Sequence, residues 1–400
     1  MKIFDANLKI IPDSRGKETL GAELKNAQFA GSAYVPSGKS TGTHETFVLE
    51  PKKALEKFQE IKPEILNKEF KNQEDFDKFL ISLDGTSNKQ NLGGNLILAL
   101  SLAFARLKAK EERLELFQYI NNESEIKNKE LGAPKPIFNV INGGAHANNS
   151  LAFQEYQVIP EVNDFGMALG LGQEFYEKLK QFLEKKFGKE NITLGDEAGF
   201  SCPFKNSVEP IEILAELIAK YHYPLKIGLD TAASQFYKDE KYTIDGKEYS
   251  AEELKIYYSK LIDAYNIISI EDPFCEESFQ DFSELTQNLK QNRRETLVIT
   301  DDLTTTNPER LKTAISKKSG NVILIKLNQI GTLTETLEVV KLAYKNKWQA
   351  IVSHRSGETM DDFIADLAFG IGAWGLKSGA PAAPERMVKY NRLLKIISNS

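Results

Sequence analysis

Lys226–Asp230 (KIGLD), Ile267–Glu271 (IISIE) and Leu297–Asp301 (LVITD) are three short apolar runs that each stop on a carboxylate. Between them lie segments of helical length, such as Ala251–Tyr265, with apolar residues at three- and four-residue intervals. The alternation continues outward. TLGDE ends upstream at Glu197, ILIK, AIVSH and GLK end downstream at Lys326, His354 and Lys377, and YQVIP follows Gln154-Glu155. From Glu197 onward successive ends stand 23 to 41 residues apart, a spacing of one strand and one helix per step. That predicts an α/β fold built on a barrel of about eight strands, with the chemistry at the strands' C-terminal ends. A single charged residue past a buried strand is ordinarily a solvated strand end. Six or more in register share one mouth.

The first part of the chain reads differently. Apolar runs at Leu8–Ile11, Leu20–Leu24 and Phe47–Leu49, separated by Gly, Pro, Ser and Thr, predict a small antiparallel sheet. Helical periodicity over Ala54–Leu66, Phe76–Leu83 and Gly94–Lys110 predicts helices backing it. The polar, Pro-ended stretch Asn121–Pro136 marks a boundary, giving an α+β capping domain over residues 1–127 and an eight-stranded β/α, TIM-like barrel over 128–400.

Composition narrows the function. With 400 residues, 41% hydrophobic and 27% charged, the chain can bury two cores. Its longest apolar stretch, Leu96–Ala105, is about half of the ~20 residues a membrane span needs. Met1–Ile10 alternates polar and apolar residues and does not resemble a secretory segment. A cytoplasmic protein without a membrane span is expected. Cys202 and Cys275 form no CxxC pair, so neither a disulfide framework nor structural zinc is indicated, and both read as inert packing. A net charge of −6 leaves no broad basic face for nucleic acid. An anionic small substrate would need local positive charge.

Three carboxylates converging from consecutive strands repel one another unless a cation neutralises them. An all-oxygen set without His or Cys favours Mg²⁺ at Asp230, Glu271 and Asp301. Lys326 and Lys377 lie beside them, and a lysine desolvated near metal charge can titrate low enough to act as a base. The string SGKST suggests the end of a P-loop, but the required Gly at position 33 is Ala33.

Ten motifs then follow one another in a familiar order: DSRG from Asp13, PSGKSTG from Pro36, INGGAHANN from Ile141, GDEAGF from Gly195, GLDTAASQFY from Gly228, SIEDPF from Ser269, DDLTTTN from Asp301, IKLNQIGTLTET from Ile325, SHRSGET from Ser353 and KSGAPAAPERMVKYN from Lys377. Together, over nearly the whole chain, they resemble the enolases. The resemblance implies interconversion of 2-phosphoglycerate and phosphoenolpyruvate with two Mg²⁺ per active site. It implies that Asp230, Glu271 and Asp301 hold one ion and that Ser40 helps hold the other. Lys326 is then the base at C2, and Glu197, supported by Glu155, the acid at the 3-hydroxyl. Arg355 and Ser356 grip the phosphate, Lys377 the carboxylate, Gln154 and His146 complete the pocket, and His354 orients the same region. A Lys or His base beside Mg²⁺ is the general arrangement of the wider superfamily.

The chain departs from the family pattern at Lys39, where a small residue is usual, at Ala198, where the motif has Gly, and at Gly21, where a Glu associated with subunit contacts is usual. Homodimerisation or a higher homo-oligomer is still the default expectation; a cell-surface or secreted pool is at most an addition to the cytoplasmic one. Two other readings compete: a racemase or sugar-acid dehydratase of the same superfamily, and a binding protein that has kept the fold without the chemistry. The first lacks the SHRS stretch and the Ser40 loop; the second does not explain why every proposed catalytic group is present.

Overall fold

Strands Asp5–Pro12 (β1), Glu18–Lys25 (β2) and Ala30–Tyr34 (β3) form an antiparallel meander in the order β1–β2–β3. The computed structural model to which they belong describes residues 1–39, 44–126, 132–292 and 294–399. The first turn is set by Asp13, whose Oδ1 accepts the backbone N–H groups of Arg15 and Lys17 at 2.8 and 2.9 Å. The second is set by Asn26, whose Oδ1 accepts from Gln28 and Phe29. These short turns make Ala30–Tyr34 the third strand. Phe47–Leu49, expected in that place, is irregular: Thr46 N–H donates to the Gln329 carbonyl and Leu49 N–H to Asn95 Oδ1.

Helices Pro51–Ile65, Gln73–Asp84, Gly94–Glu111 and Leu116–Ser124 back this sheet. The third is buried on nearly every side because it packs against β2 and β3 on one face and against helices Leu327–Ile330 and Leu333–Lys345 on another. That all-round apolar surface is a core requirement. Among the described residues no helix is long and apolar enough to cross a membrane. Helix Leu116–Ser124, started by a Glu115–Gln118 capping box, takes in the beginning of the polar stretch expected as a linker. The expected boundary between residues 127 and 128 lies outside the described residues.

The second part is a closed barrel. Its strands are Lys135–Asn142 (β4), Glu155–Pro160 (β5) and, past a two-strand ribbon of Thr193–Leu194 (β6) and Phe200–Ser201 (β7), Leu225–Asp230 (β8). After a small meander at Tyr237–Lys238 (β9), Lys241–Ile244 (β10) and Lys247–Tyr249 (β11) come Ile267–Glu271 (β12), Leu297–Thr300 (β13), Val322–Ile325 (β14), Gln349–Ser353 (β15) and Gly375–Lys377 (β16). Around the barrel the order is β4–β5–β8–β12–β13–β14–β15–β16, and β16 pairs back onto β4.

Two expectations need correction. TLGDE is not a barrel strand; the place belongs to β4, and Gly195 and Gly199 instead lie against Asn142, where an added Cβ would come within 2.6 and 2.5 Å of its Oδ1. The segment carrying Glu197 is therefore a loop folded over the rim. Second, β5 runs antiparallel to both its neighbours, with Glu155 in register with Asp230. Its leading end, and not its trailing end, lies at the rim formed by the C-terminal ends of β8 and β12. Gln154 and Glu155 reach the common mouth for that reason.

Inside the barrel, Ile137, Ile159, Ile299, Val322, Leu324 and Ile351 fill the interior with branched side chains. The barrel is thus a packed core, with polar groups gathered at one end. In the N-terminal sheet, an added Cβ at Gly31 would come within 2.3 Å of the Ala103 carbonyl and 2.4 Å of the Leu107 nitrogen. Gly31→Ala should therefore destabilise the protein by about 1–3 kcal/mol, as overpacking does, read as a lowered urea midpoint. An unchanged midpoint would mean the helix can move away at little cost.

Candidate active site

Register determines which acids meet. Asp230 and Glu271 end adjacent parallel strands and pair directly with each other. Lys377, at the end of β16 across the barrel, reaches both: its Nζ lies 3.3 Å from Asp230 Oδ2, 2.8 Å from Glu271 Oε2 and 3.0 Å from Glu155 Oε2. Asp301, just past β13, is ion-paired with Lys326 Nζ and accepts from Gln329 Nε2 at 2.9 Å. All four acids are buried. Burial, and next the charge of Asp230, push Glu271 well above the usual carboxylate range. Burial pushes Asp301 the same way, but the Lys326 ammonium outweighs it and holds Asp301 low.

The lysines are shifted oppositely to expectation. Burial lowers a lysine, yet contact with Asp301 leaves Lys326 raised, and Glu155, Glu271 and Asp230 leave Lys377 well above the ordinary range. In this arrangement each is a firmly held ammonium, because an ion pair in a low-dielectric site outweighs desolvation.

The second cluster surrounds Glu197. Its Oε1 stands 3.4 Å from His146 Nδ1 and 3.4 Å from His354 Nε2, while its Oε2 accepts from Asn139 Nδ2 at 2.7 Å. Glu155 Oε1 is 3.9 Å from the same His146 nitrogen. Burial and the neighbouring Glu197 charge push Glu155 well up, against the pull of Lys377. Burial would raise Glu197 too, but His354 and His146 hold it well below the usual range.

The tautomer of His354 follows from its other neighbour. Arg386 Nη1 lies 2.6 Å from His354 Nδ1, and a guanidinium can only donate. Nδ1 is therefore bare, and the ring proton sits on Nε2, facing Glu197. Burial lowers the His354 pKa to about 4, so the ring faces the carboxylate in its neutral form.

Arg355 and Ser356 follow β15 at the same mouth. The Arg355 guanidinium forks onto Glu45, with Nη1–Oε2 at 2.9 Å and Nη2–Oε1 at 3.0 Å, and Nη1 also donates to Asn328 Oδ1. Ser356 Oγ accepts from Arg15 at 3.3 Å. Gln154 Nε2 donates to Asp230 Oδ2 at 3.2 Å, and its Oε1 accepts from Gln235, which in turn accepts the Ala145 N–H at 2.9 Å. Ser40 lies outside the described residues. The other twelve expected site residues come to one end of the barrel: Asp230, Asp301, Lys326, Glu197, Glu155, His146, Gln154, His354, Arg355, Ser356 and Lys377 line one pocket, and Glu271 touches Lys377.

Several functional residues escaped the sequence reading. Asn139, Arg386, Glu45 and Gln235 carried no spacing signal of their own. Asp272 had one, the acid pair in SIEDPF, and its carboxylate fixes the start of the next loop by accepting Asp301 N–H at 3.0 Å and Asp302 N–H at 2.7 Å. Ala198, in place of a glycine, holds φ +64°, a left-handed conformation costing roughly 1–2 kcal/mol for a residue with a Cβ. Lys39, at the other departure, ion-pairs with Asp196 at 3.0 Å.

The donor set suits a hard divalent cation: buried carboxylate oxygens gathered at one rim. The sets whose ligand atoms all lie within 4.8 Å of one another, among the described residues, are His146–Glu155–Glu197, Asp272–Asp301–Asp302 and a surface set, Glu252–Asp281–Glu284. Asp230, Glu271 and Asp301 are not such a set; their charge is met by Lys377 and Lys326, which a cation would have to displace.

Comparison with known proteins agrees with this fold. Residues 130–399 match the enolase C-terminal TIM barrel domain and residues 3–120 the enolase N-terminal domain. The chain is 42% identical over 410 residues to an enolase of Methanocaldococcus jannaschii, covering 99% of this chain and 95% of that one. It is 41% identical to an enolase of Methanosarcina barkeri, covering 99% and 94%, and 40% identical to one of Methanopyrus kandleri, covering 99% and 95%.

The His354 environment gives a pH test. The unfolded imidazole protonates near 6.5 and the folded one only near about 4, so the unfolded state takes up the proton first as pH falls. Stability carried by neutral His354 is complete above the unfolded value and is lost progressively down to the folded one. Between about pH 7 and pH 4, wild type should lose about 3 kcal/mol more than His354→Gln, measured by denaturant unfolding. Parallel curves would contradict a buried neutral ring.

Proposed function

The chain belongs to the enolase family, whose reaction, the reversible dehydration of 2-phosphoglycerate to phosphoenolpyruvate, it catalyses as a lyase, and we propose how its residues divide that work. Lys326, as the neutral amine it becomes once parted from Asp301, takes the proton from C2, Glu197 protonates the departing 3-hydroxyl, and Lys377 holds the substrate carboxylate. Arg355 and Ser356 bind the phosphate, with His146 and Gln154 closing the remaining sides. The observation that carries this division is that Glu197, buried, and Lys326, half-buried, line one pocket that also contains Arg355 and Lys377.

The chemistry requires such a pairing. A proton beside a carboxylate is weakly acidic because its removal adds charge to an anion already present, so positive charge must be preorganised where that charge develops. Lys377 supplies part of it. Mg²⁺ bound by Asp230, Glu271 and Asp301 would add the rest and compete with Lys326 for Asp301, and a second ion, with Ser40 among its ligands, belongs to the same proposal. At the opposite wall, Asn139 donates to the Glu197 carboxylate and His354 stands 3.4 Å from it. Reaction through Glu197 requires it to hold a proton when the 3-hydroxyl departs, and both Glu155 and Glu197 stand beside His146.

The racemase and sugar-acid dehydratase readings give way to the full-length similarity to enolases. A division at residues 127 and 128, a role in glycolysis and gluconeogenesis, a cytoplasmic location with a further surface or secreted pool, and a homodimer or higher homo-oligomer complete the proposal.

The test is direct. Adding 2-phosphoglycerate should raise the ultraviolet absorbance of the enol product only when Mg²⁺ is present. Lys326→Ala should leave folding and Mg²⁺ binding nearly intact while turnover falls by about 10²–10⁴-fold, the usual contribution of a positioned base. Turnover within about tenfold of wild type would place the base elsewhere.

A further inference from the structure

Glu45 stands in the N-terminal part of the chain, 310 residues from the arginine it grips. The pair is bidentate, with side chains only 4% and 5% exposed, which is the geometry in which a carboxylate fixes both the position and the plane of a guanidinium. The backbone beside Glu45 is itself anchored on the barrel: Thr46 N–H donates to the Gln329 carbonyl at 2.9 Å and Thr46 Oγ1 to the Asn328 carbonyl at 3.3 Å. Asn328 Oδ1 also accepts from Arg355. Glu45 and the arginine are thus held by the same short segment following Lys326.

Arg355 has other acids within reach of its field. Asp301 and Asp302 line the same pocket and attract it, so a guanidinium released from Glu45 would be drawn toward Asp302 and toward Asp301, which is proposed to hold metal. We propose that Glu45 is a positioning residue, an internal carboxylate that keeps Arg355 turned to the anion-binding side of the pocket and away from Asp301 and Asp302. The N-terminal domain in this view sets the recognition of the substrate phosphate. The inference rests on Arg355 as the phosphate-binding group.

Neighbouring contacts fit the role. Ser37 and Gly357 exchange backbone hydrogen bonds at 2.7 and 2.9 Å, Ser14 N–H donates to the Glu358 carbonyl at 2.7 Å, and Arg15 reaches Ser356 Oγ. Three N-terminal segments therefore grip the stretch from Arg355 to Glu358, and among the described residues Glu45 is the one of them that touches the guanidinium.

Glu45→Gln keeps the shape and one acceptor oxygen while removing the charge, and is the deciding variant; Glu45→Ala may be compared where its thermal unfolding matches wild type. For Glu45→Gln, KM for 2-phosphoglycerate and the inhibition constant of inorganic phosphate should rise together by at least about tenfold, with kcat changed less than about threefold, the pattern of lost uniform binding. In an Arg355→Ala background the substitution should have almost no further effect on the phosphate constant. An unchanged phosphate constant in Glu45→Gln, or an effect that persists without Arg355, overturns the inference. Should Arg355→Ala itself leave phosphate inhibition unchanged, it is the assignment of Arg355 that fails.

Discussion

Buried like charge is the constraint around which this molecule is arranged. Asp230, Glu271, Asp301 and Glu155 are removed from water at one end of a barrel, where uncompensated carboxylates are strongly disfavoured. Lys377 sits among three of them and Lys326 on the fourth. Each is a partner to the acids before it is anything to a substrate. The same electrostatic requirement explains the amide and backbone groups aimed at these carboxylates: Gln154 at Asp230, Gln329 at Asp301, and Gln157 at Glu155 at 2.9 Å. A site held this way is rigid in the sense that catalysis needs, since the groups that must meet developing charge are already oriented.

The opposite wall solves a different problem, that of keeping one carboxylate ready beside another. Arg386, itself fully buried, spends its donors on the carbonyls of Arg355, Asp196 and Ser356 and on the His354 ring. One side chain from the C-terminal helix Pro384–Asn399 thereby ties the loop bearing Glu197 to the loop bearing the anion-binding groups. The N-terminal domain closes the same region from above through Asp13, Arg15, Ser37 and Glu45. Asp13 receives Ser37 Oγ and Arg15 Nη2 at once, so the first turn of the chain and the barrel loop after β15 are parts of one polar assembly.

What could be read in the amino-acid sequence was largely periodic or local. Strand-length apolar runs ending in Asp230, Glu271, Asp301, Lys326, His354 and Lys377 determined a barrel with its chemistry at one rim, because an apolar strand that stops on a charged residue leaves a linear trace. The ordered motifs determined the family. What only the tertiary structure decided involves pairs that have no fixed spacing: the antiparallel β5 that turns Glu155 toward Asp230, the replacement of TLGDE by Lys135–Asn142 in the barrel wall, and the contacts of Asn139, Arg386 and Glu45. The titration directions belong to this second class as well. Lysine alone suggests a base lowered by desolvation, whereas the ion pairs formed on folding raise both lysines, since charge interactions depend on distance and dielectric in three dimensions and leave no pattern along a chain.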